Sequence, residues 1–308
     1  MPDALNLWEK PQAEEVFMFV GWRQWADAGS VSSGLPQYLI QQTGAHKIGE
    51  LKPDGFYLFQ IPGTHDLLRP LVEFKQGFPI EFEVPKNEFY YAGDDKRGVL
   101  VFIGDVPHMH AERYVASILQ AASELKVKRI IGLGGVYGEV PYNRERAISS
   151  VFSLQALKEE IEELSVSLSA YKGGASIGSY MCRRAGDQGM AYISFYAFVP
   201  LYDFSANETG TQSIRIENDY MAWLGVMQRI NHLLKVDFNL SDLEMKSRRL
   251  VKVVDERVDE IDAADPELGV RAYIDQLAED FVETHFEPLD EFWEEKLRDL
   301  FNDESDVD

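Results

Sequence analysis

The sequence predicts an α/β fold: a mixed, mostly parallel sheet flanked by helices, with a C-terminal α-helical extension. Up to about residue 240, apolar runs of strand length alternate with segments of helical periodicity, as in layered α/β proteins. Runs such as VLVFIG and RIIGLG are apolar at every position, which is typical of parallel strands covered by helices on both faces. From Ser241 onward the pattern changes to helical periodicity and to strong acidity.

Seven segments have the length and the residue types of strands, namely EVFMFVGW, GFYLFQI, LVEF, FPIEFEV, GVLVFIGD, KRIIGLGG and MAYISFYAFV. Helical periodicity predicts helices between and after them, near residues 33–43, 110–125, 153–164, 175–186 and 218–235. The stretch PIEFEVPKNEFYY instead alternates between apolar and polar residues, so we expect antiparallel or edge strands inserted into the sheet.

Residues 1–240 are therefore predicted as an α/β domain, residues 241–303 as an acidic helical extension and residues 304–308 as a frayed tail. Ser241 and Glu244 fit a capping box at the start of the first helix, with Leu240 and Met245 as a hydrophobic staple. This helix repeats apolar residues on one face, at Leu243, Leu250, Val254, Val258 and Ile261.

Asp265 and Pro266 fit the start of a second helix, whose inward residues are Val270, Tyr273, Ile274, Leu277 and Phe281. A third, short helix is predicted after Pro288, with the apolar residues Trp293, Leu297, Leu300 and Phe301. Isolated helices gain little stability in water, so these helices must cover a surface. That surface is either the body of the same subunit or another chain.

The formal net charge of −22 is concentrated at the C-terminal end. From Ser241 onward there are 23 Asp or Glu residues against 8 Lys or Arg residues, which leaves a net −7 for the first 240 residues. Acidity of this kind argues against nucleic-acid binding, which needs cations to neutralise phosphates. The single cysteine, Cys182, cannot form an internal disulfide, and no apolar run has the length of a membrane span. With no secretory signal pattern at the N-terminus, we expect a cytoplasmic protein.

The opening stretch GWRQWADAGSVSSGLPQYL has the layout of a phosphate-binding turn between a strand and a helix. Its glycines, Gly21, Gly29 and Gly34, fit neither the dinucleotide fingerprint nor the P-loop spacing. The glycine-rich segments GLGGVYG and KGGASIGS also miss these patterns by one or two positions. We interpret all three segments as tight strand-to-helix turns, and we expect no nucleotide cofactor.

No set of residues fits a metal site or a nucleophilic triad. Asp105, His108, His110 and Glu112 share one loop, but no second ligand cluster stands out elsewhere in the sequence. There is no G-x-S-x-G motif, and Cys182 within a predicted helix is interpreted as a packing residue. We therefore expect neither a metal nor catalytic residues.

One constellation remains, at the predicted carboxyl ends of the strands, where open α/β sheets bind ligands. It forms a candidate pocket or interaction rim of ten residues: Trp22, Arg23, Trp25, Asp27, Asp105, Glu139, Asn143, Arg144, Arg146 and Tyr202. In the loop GGVYGEVPYNRER, the two arginines either clamp an anion or pair with local carboxylates and hold the loop in shape.

These segments resemble the proteasome assembly chaperone family of the second type, including its bacterial and archaeal members. The matching motifs occur in family order over roughly residues 14–240: G-W-x-x-W-x-D-A-G, the strand end GDVP, GLGGVYGEVPYNR, KGGASIG and the strand end VPLY. Two positions depart from the family. PYNRE stands where Pro-His-Thr-Arg-Pro is common, and Leu201 precedes Tyr202 where a His-Tyr pair is common. The resemblance therefore implies no chemistry that depends on those histidines.

The resemblance implies a fold similar to the purine nucleoside phosphorylases, a homo-oligomer and a role in protein assembly rather than catalysis. The function predicted first is that of a non-enzymatic, oligomeric, chaperone-like protein with a protein partner, proteasome-related or other. Archaeal relatives dock on the proteasome through a hydrophobic–tyrosine–any-residue tail, and this docking is not expected of a chain that ends DVD.

Two alternatives are enzymes: a small-molecule enzyme of nucleoside phosphorylase or hydrolase type, in which Arg144 or Arg146 holds an anion, and the ATP-dependent carboxylate-amine ligase that labels some relatives. The residues of this chain do not support the ligase, because no lysine pattern indicates a bound triphosphate. A purely structural subunit is a further alternative.

Overall fold

A ten-stranded mixed sheet forms the centre of the computed structural model, which describes residues 4–60, 69–204, 213–283 and 286. The strands are β1 (Leu5–Leu7), β2 (Glu15–Arg23), β3 (His46–Leu51), β4 (Leu71–Lys75), β5 (Phe78–Glu83), β6 (Glu88–Gly93), β7 (Arg97–Asp105), β8 (Val127–Gly138), β9 (Ile148–Phe152), β10 (Ser167–Leu168), β11 (Tyr192–Asp203) and β12 (Ser213–Arg215). The helices are α1 (Gly34–Thr43), α2 (Ala111–Glu124), α3 (Lys158–Glu162), α4 (Ile177–Asp187), α5 (Tyr220–Leu234), α6 (Ser241–Ala264) and α7 (Val270–Asp280).

The strand order of the main sheet is β1-β3-β6-β7-β2-β8-β11-β9-β10, and β12 pairs with the end of β11. The four central strands, β7, β2, β8 and β11, run parallel to one another. Along β2, Phe17 and Phe19 face a layer formed by α1, α5, α6 and α7, whereas Met18 and Val20 face α2 and α4. The continuous apolar runs thus reflect burial on both faces, and the predicted α/β fold is confirmed.

Antiparallel strands complete the sheet on both sides. β6, β3 and β1 follow β7 on one side, and β9 follows β11 on the other. The alternating stretch PIEFEVPKNEFYY supplies β5 and β6, but only β6 joins the main sheet. β4 and β5 pair with each other as a separate hairpin. The five helices predicted before residue 240 correspond to α1–α5, with α3 shorter than expected.

The segment GFYLFQI is not a strand over residues 55–60, and its last residue lies outside the described part of the chain. The N–H of Phe56 donates to the carbonyl of Pro53 at 3.0 Å, which closes a turn. Its own carbonyl accepts from the N–H groups of His108 and Met109 at 2.8 and 3.0 Å. The ring of Phe56 packs edge-on against Tyr114 in the core, so this residue serves burial, not a strand ladder.

The helical extension packs against the body of the same chain. The inward residues of α6 are buried in the hydrophobic core that also contains strand residues of β2, β7, β8 and β11; they are Leu243, Val254, Val258 and Ile261. In α7, Val270 and Ile274 are buried in that core, whereas Tyr273 is 40% exposed. A boundary at residue 240 stays a prediction, and the third predicted helix and the tail lie outside the described residues.

The predicted capping box does not form at the start of α6. Ser241 is the first residue of the helix and Leu240 is the N-cap, which makes no side-chain hydrogen bond. Asn239 Oδ1 accepts the N–H of Ser241 at 3.0 Å and so serves one of the free donors of the first turn. Met245 is 65% exposed, so the predicted staple with Leu240 is absent as well.

A polar contact pins both helices to the loop that follows β8. Arg271 Nη1 in α7 donates to Asp255 Oδ1 in α6 at 2.9 Å and to the hydroxyl of Tyr142 at 3.1 Å. The hydroxyl of Tyr142 donates in turn to Asp255. Burial raises the pKa of Tyr142 to about 12, so this hydroxyl stays a proton donor at neutral pH. None of the described helices is both long and apolar enough to cross a bilayer.

Arg146 and Asp219 form an ion pair that is almost wholly buried, with side chains 1% and 0% exposed. Arg146 Nε and Nη2 donate to the Asp219 carboxylate at 2.7 and 3.4 Å. Its Nη1 donates to the carbonyls of Pro141, Tyr142 and Arg144 at 3.1, 3.0 and 2.8 Å. The guanidinium therefore folds the β8–β9 loop around itself and fixes the loop to the start of α5, where Asp219 is the N-cap.

We predict that Ile274→Ala lowers the free energy of unfolding of the whole chain by about 2–5 kcal/mol, because Ile274 is buried in the core shared with the sheet. Urea denaturation followed by circular dichroism should show one transition at a lower midpoint. Asp275→Ala, on the exposed side of the same helix, should stay within about 0.5 kcal/mol of wild type. A separate early transition that leaves the main one unchanged would contradict this packing.

We also predict that Arg146→Met costs about 3–5 kcal/mol of unfolding free energy, because it leaves the Asp219 carboxylate buried without its cation. Arg144→Met is the matched control. Arg144 is 47% exposed and lies 3.9 Å from Glu283, so its loss should cost at most about 1 kcal/mol. Equal losses for the two variants in chemical denaturation would show that Arg146 does not organise the loop.

Candidate functional site

The parallel strands bring the candidate residues to one edge of the sheet, the carboxyl edge, but at two levels. Arg23 and Asp105 are register neighbours at the ends of β2 and β7. β8 and β11 stay paired up to Gly138 and Pro200, whereas β2 last pairs with β8 at Gly132. The edge is therefore stepped, with a lower level at β2 and β7 and an upper level at β8 and β11.

A buried polar cluster occupies the lower level. Asn87 Oδ1 accepts hydrogen bonds from the Tyr57 hydroxyl at 2.8 Å, the Tyr114 hydroxyl at 2.9 Å and the Asp105 N–H at 3.2 Å. The indole N–H of Trp22 donates to the Tyr114 hydroxyl at 3.2 Å. Burial raises the pKa of both tyrosines, so both hydroxyls stay protonated. Motif reasoning missed Tyr57, Asn87 and Tyr114, because no local pattern links three residues from three separate segments.

Arg23 and Asp105 meet at the solvent side of this cluster. Arg23 Nη1 lies 3.5 Å from Asp105 Oδ2 and donates to the backbone carbonyl of Lys86 at 3.3 Å. The backbone N–H of Lys86 donates to the same carboxylate oxygen at 2.7 Å. The pair thus ties the ends of β2 and β7 to the segment that enters β6.

The turn after β2 is strained and presents Trp25 to solvent. Gln24, Ala26 and Ser30 have φ values of 83°, 52° and 50°, in the left-handed region that non-glycine residues seldom adopt. The carbonyl of Ala26 accepts the N–H of Gly135 at 2.7 Å, which anchors the turn to β8. Trp25, between two of these residues, is 64% exposed. Backbone strain of this kind recurs at functional sites.

Asp27 holds the same turn in place. Its Oδ1 accepts the N–H groups of Ser32 and Ser33, both at 2.9 Å, and its Oδ2 accepts the Ser33 hydroxyl at 2.7 Å. Burial raises the pKa of the Asp27 carboxyl, although these hydrogen bonds act in the opposite direction. Asp27 therefore acts as a local cap for the residues that enter α1.

Two glycines let the layers approach closely at this turn. A Cβ at Gly21 would lie 1.9 Å from the carbonyl oxygen of Ser32, and one at Gly135 would lie 2.0 Å from that of Ala28. Both distances are far shorter than any van der Waals contact. Both glycines serve backbone packing, and Gly21 agrees with the interpretation of the opening stretch as a turn, whereas GLGGVYG lies within β8, so its interpretation as a strand-to-helix turn is wrong.

A groove of about 600 Å³ lies at the upper level, between the ends of β8 and β11 and helix α7. Its lining is largely aromatic, from Tyr137, Tyr202, Phe204 and Tyr273, with Glu139 and Asp203 as the acidic members. The Tyr202 hydroxyl donates to the carbonyl of Val140 at 2.6 Å. Arg215 stacks over Tyr137 at 5.3 Å and donates to its hydroxyl at 2.7 Å. Of the candidate residues, Glu139 and Tyr202 share this groove.

The candidate residues therefore do not line one common pocket. Trp22, Arg23 and Asp105 belong to the lower cluster, while Trp25 is exposed and Asp27 lies inside the turn. In the β8–β9 loop, Asn143 and Arg144 are exposed, and Arg146 is enclosed by its pair with Asp219.

The loop with two histidines does not gather ligands. His108 Nδ1 accepts the N–H of Leu58 at 3.1 Å, and Glu112 pairs with Arg184 and with the Tyr180 hydroxyl. Across the described ranges, no three His, Cys, Asp or Glu side chains are placed to share a metal ion. Burial raises the pKa of the Cys182 thiol to about 11, which keeps it protonated at neutral pH.

Many exposed apolar side chains lie on segments that leave the sheet, or return to it, at the carboxyl edge. Among the described residues, eleven of the seventeen exposed large apolar side chains lie on segments that leave or return at this edge: Trp25, Phe59, Leu71, Val72, Phe74, Phe78, Ile80, Phe82, Val84, Met109 and Tyr137. Seven of them belong to the β4–β5 hairpin and its flank. The sequence predicted these strands, but strand composition carries no sign of whether a sheet will cover them.

Because the pKa of Asp27 is raised in the folded chain, its carboxylate weakens the fold as it ionises. The protonated Asp27 makes its full contribution to the free energy of unfolding below the unfolded pKa of about 4. This contribution is lost as the pH rises through the pKa of the folded chain. We predict that Asp27→Asn, which keeps an oxygen for the two serine N–H groups, becomes more stable relative to wild type between pH 4 and pH 7. Urea titrations of both chains at several pH values would measure this difference, and a constant difference would contradict the prediction.

The family model described as the PAC2 family matches residues 22–258. The match begins near the end of β2 and continues into α6, so it includes both levels of the carboxyl edge. A search of curated proteins finds no match.

Three solved structures have a similar fold. A PAC2 family protein of Streptomyces avermitilis is 22% identical, with 80% of this chain and 97% of that chain covered and a TM-score of 0.66. A proteasome-assembly chaperone homologue of Mycobacterium tuberculosis is 19% identical, with 78% and 94% covered and a TM-score of 0.66. PbaB of Pyrococcus furiosus, an archaeal proteasome activator, is 19% identical, with 82% and 97% covered and a TM-score of 0.57.

At identities of 19–22%, these three structures show that the chain shares their fold. The family model spans well over half of the chain and includes the strand ends and loops whose motifs carried the resemblance. The predicted resemblance is thereby confirmed: the chain belongs to the PAC2 family.

Proposed function

We propose that the chain is a cytoplasmic, non-enzymatic, chaperone-like protein that forms a homo-oligomer and binds another protein during its assembly. Membership of the PAC2 family supports this proposal. Two of the similar structures also support it, since one is a proteasome-assembly chaperone homologue and the other an archaeal proteasome activator.

The observation that carries the proposal is the set of exposed apolar side chains on segments that leave or return at the carboxyl edge, with Trp25 just after β2 among them. Large apolar surface left in water is a common mark of protein interaction sites. The charged groups at the same edge are engaged with one another, as in the Arg146–Asp219 and Arg23–Asp105 pairs. The edge therefore offers apolar contact area, while the cations Arg146 and Arg23 pair with carboxylates of the same chain.

Trp25 is the residue best suited to anchor a partner. Tryptophan is among the residue types that contribute most to binding at protein interfaces. Its indole is 64% exposed, and the strained turn is fixed by Asp27 and by the Ala26–Gly135 hydrogen bond. A fixed backbone lowers the entropy lost when a side chain is buried at an interface.

We predict that Trp25→Ala weakens binding of the cellular partner by at least about 30-fold, which corresponds to the 2 kcal/mol typical of an interface hot spot. Affinity capture from the host, followed by mass spectrometry, would identify the partner. The dissociation constant of the purified pair would then be measured for wild type and variant. The loss should appear mainly as faster dissociation.

Trp8→Ala is the matched control, because Trp8 is 49% exposed but lies beside Lys47, near the start of β3 and away from the carboxyl edge. It should bind the partner as wild type does. Equal binding by all three chains would exclude Trp25 as the anchor. Turnover of a small metabolite by the purified chain, without any specific protein partner, would overturn the proposed function.

A further inference from the structure

The groove at the upper level, between the ends of β8 and β11 and helix α7, combines aromatic walls with carboxylates; we call it the upper groove. Glu139 and Asp203 are its acidic members, and no lysine or arginine is among the described residues that line it. Its volume of about 600 Å³ lies within the range of about 300–1,000 Å³ that is typical of ligand pockets. The lining therefore carries negative charge and leaves room for a ligand the size of a long side chain.

Tyr273 is the central ring of the aromatic wall. Its ring centroid lies 5.8 Å from that of Phe204 and 6.4 Å from that of Tyr202, with the rings nearly perpendicular in both pairs. Such edge-to-face contacts are a preferred geometry of aromatic pairs. The hydroxyl of Tyr202 is in turn held by the carbonyl of Val140. The wall is thus fixed by its own contacts, yet Tyr273 remains 40% exposed.

Glu139 lies close enough to Tyr273 to act on its hydroxyl. Burial raises the pKa of Tyr273, and the negative charge of Glu139 raises it further, so this hydroxyl stays neutral at neutral pH. Within the described part of the chain, no lysine or arginine forms an ion pair with Glu139, whose side chain is exposed. A carboxylate beside an aromatic ring, without a cation of its own, suits a cation supplied from outside.

A guanidinium of the chain already contacts one ring of this groove. Arg215 lies 5.3 Å from the ring centre of Tyr137, and its Nε donates to the hydroxyl of that tyrosine at 2.7 Å. Arg215 belongs to β12, beyond β11, and does not line the groove itself. The contact is an example, within the same wall, of a guanidinium held by an aromatic ring and an oxygen acceptor.

We propose that the upper groove binds an arginine side chain of the partner protein. A guanidinium is planar, stacks on aromatic rings and donates two parallel hydrogen bonds to a carboxylate, which a lysine ammonium cannot do. Tyr273 would supply the ring and Glu139 the carboxylate. The proposal rests on the proposed function, because the partner supplies the arginine, but the groove itself is tested on the isolated chain.

The charge of the whole chain favours the approach of a basic segment. The formal net charge is −22, and attraction between opposite charges speeds the encounter of two proteins. Long-range attraction of this kind does not select a site. The selection would come from the groove, where the aromatic ring and the carboxylate lie side by side.

The first test titrates the isolated chain with acetyl-arginine methylamide and follows the NMR spectrum of the protein. The matching citrulline compound has a neutral urea of the same shape, so we expect it to bind at least about tenfold more weakly. Glu139→Gln and Tyr273→Leu should each weaken binding of the arginine compound by roughly three- to tenfold. Circular dichroism would show whether each variant retains the wild-type fold.

Glu256→Gln is the matched control, because it makes the same chemical change at an exposed position of α6 that does not line the groove. It should bind the arginine compound as wild type does. No measurable binding by wild type, equal binding of the arginine and citrulline compounds, or equal losses for Glu139→Gln and Glu256→Gln would overturn the proposal.

The second test measures the dissociation constant of the captured partner for the same variants. Glu139→Gln should weaken partner binding, and an excess of the arginine compound should compete with the partner. If Glu139→Gln loses the arginine compound but binds the partner as wild type does, the partner is not the source of the cation and the proposal fails. Loss of partner binding in Trp25→Ala but not in Glu139→Gln would also overturn the arginine site, while the proposed function would stand.

Discussion

The buried pair of Arg146 and Asp219 is the constraint on which the carboxyl edge depends. The guanidinium is shared between one carboxylate and three carbonyls of its own loop, so a single side chain sets the path from β8 to β9. Asp219 also caps α5, and its N–H donates to the carbonyl of Gly29 at 2.9 Å. Three segments distant in sequence are thereby joined at one point. Because the guanidinium is only 1% exposed and its charge is compensated by Asp219, it is not presented to a bound anion.

The other contacts at the carboxyl edge depend on the β8–β9 loop that this ion pair holds in place. Once the β8–β9 loop is fixed, Tyr142 can meet Asp255 and Arg271, and the helical extension closes over the same side of the sheet. The lower level is held by neutral hydroxyls and one amide, because burial keeps the tyrosines Tyr57 and Tyr114 protonated. Many polar groups thus bind each other within the protein, while Trp25, Met109 and Tyr137 are exposed beside polar loop residues such as Asn143 and Arg144.

Periodicity predicted the central strands and the covering helices because both depend on burial, which leaves a regular trace in sequence. It could not separate GFYLFQI from a strand, since the burial of Phe56 requires the same aromatic composition. It also could not distinguish Arg144 from Arg146, two positions apart in one loop. The difference lies in Asp219, 73 residues further along the chain, and only the fold brings this carboxylate to one arginine and not the other. The family could be recognised because its motifs lie at strand ends and follow one another along this sequence in the family's order.

The opening stretch contains one position that has no room for a side chain, Gly21, and one whose side chain is mostly in water, Trp25. At Gly21 a single methyl group would sit inside the carbonyl oxygen of Ser32, so β2 and the start of α1 could no longer stack. Four residues later, Trp25 touches mostly water and could be exchanged without disturbing the layers beneath it. A substitution at Trp25 would therefore change the surface displayed at this corner, whereas a side chain at Gly21 would change the packing beneath it.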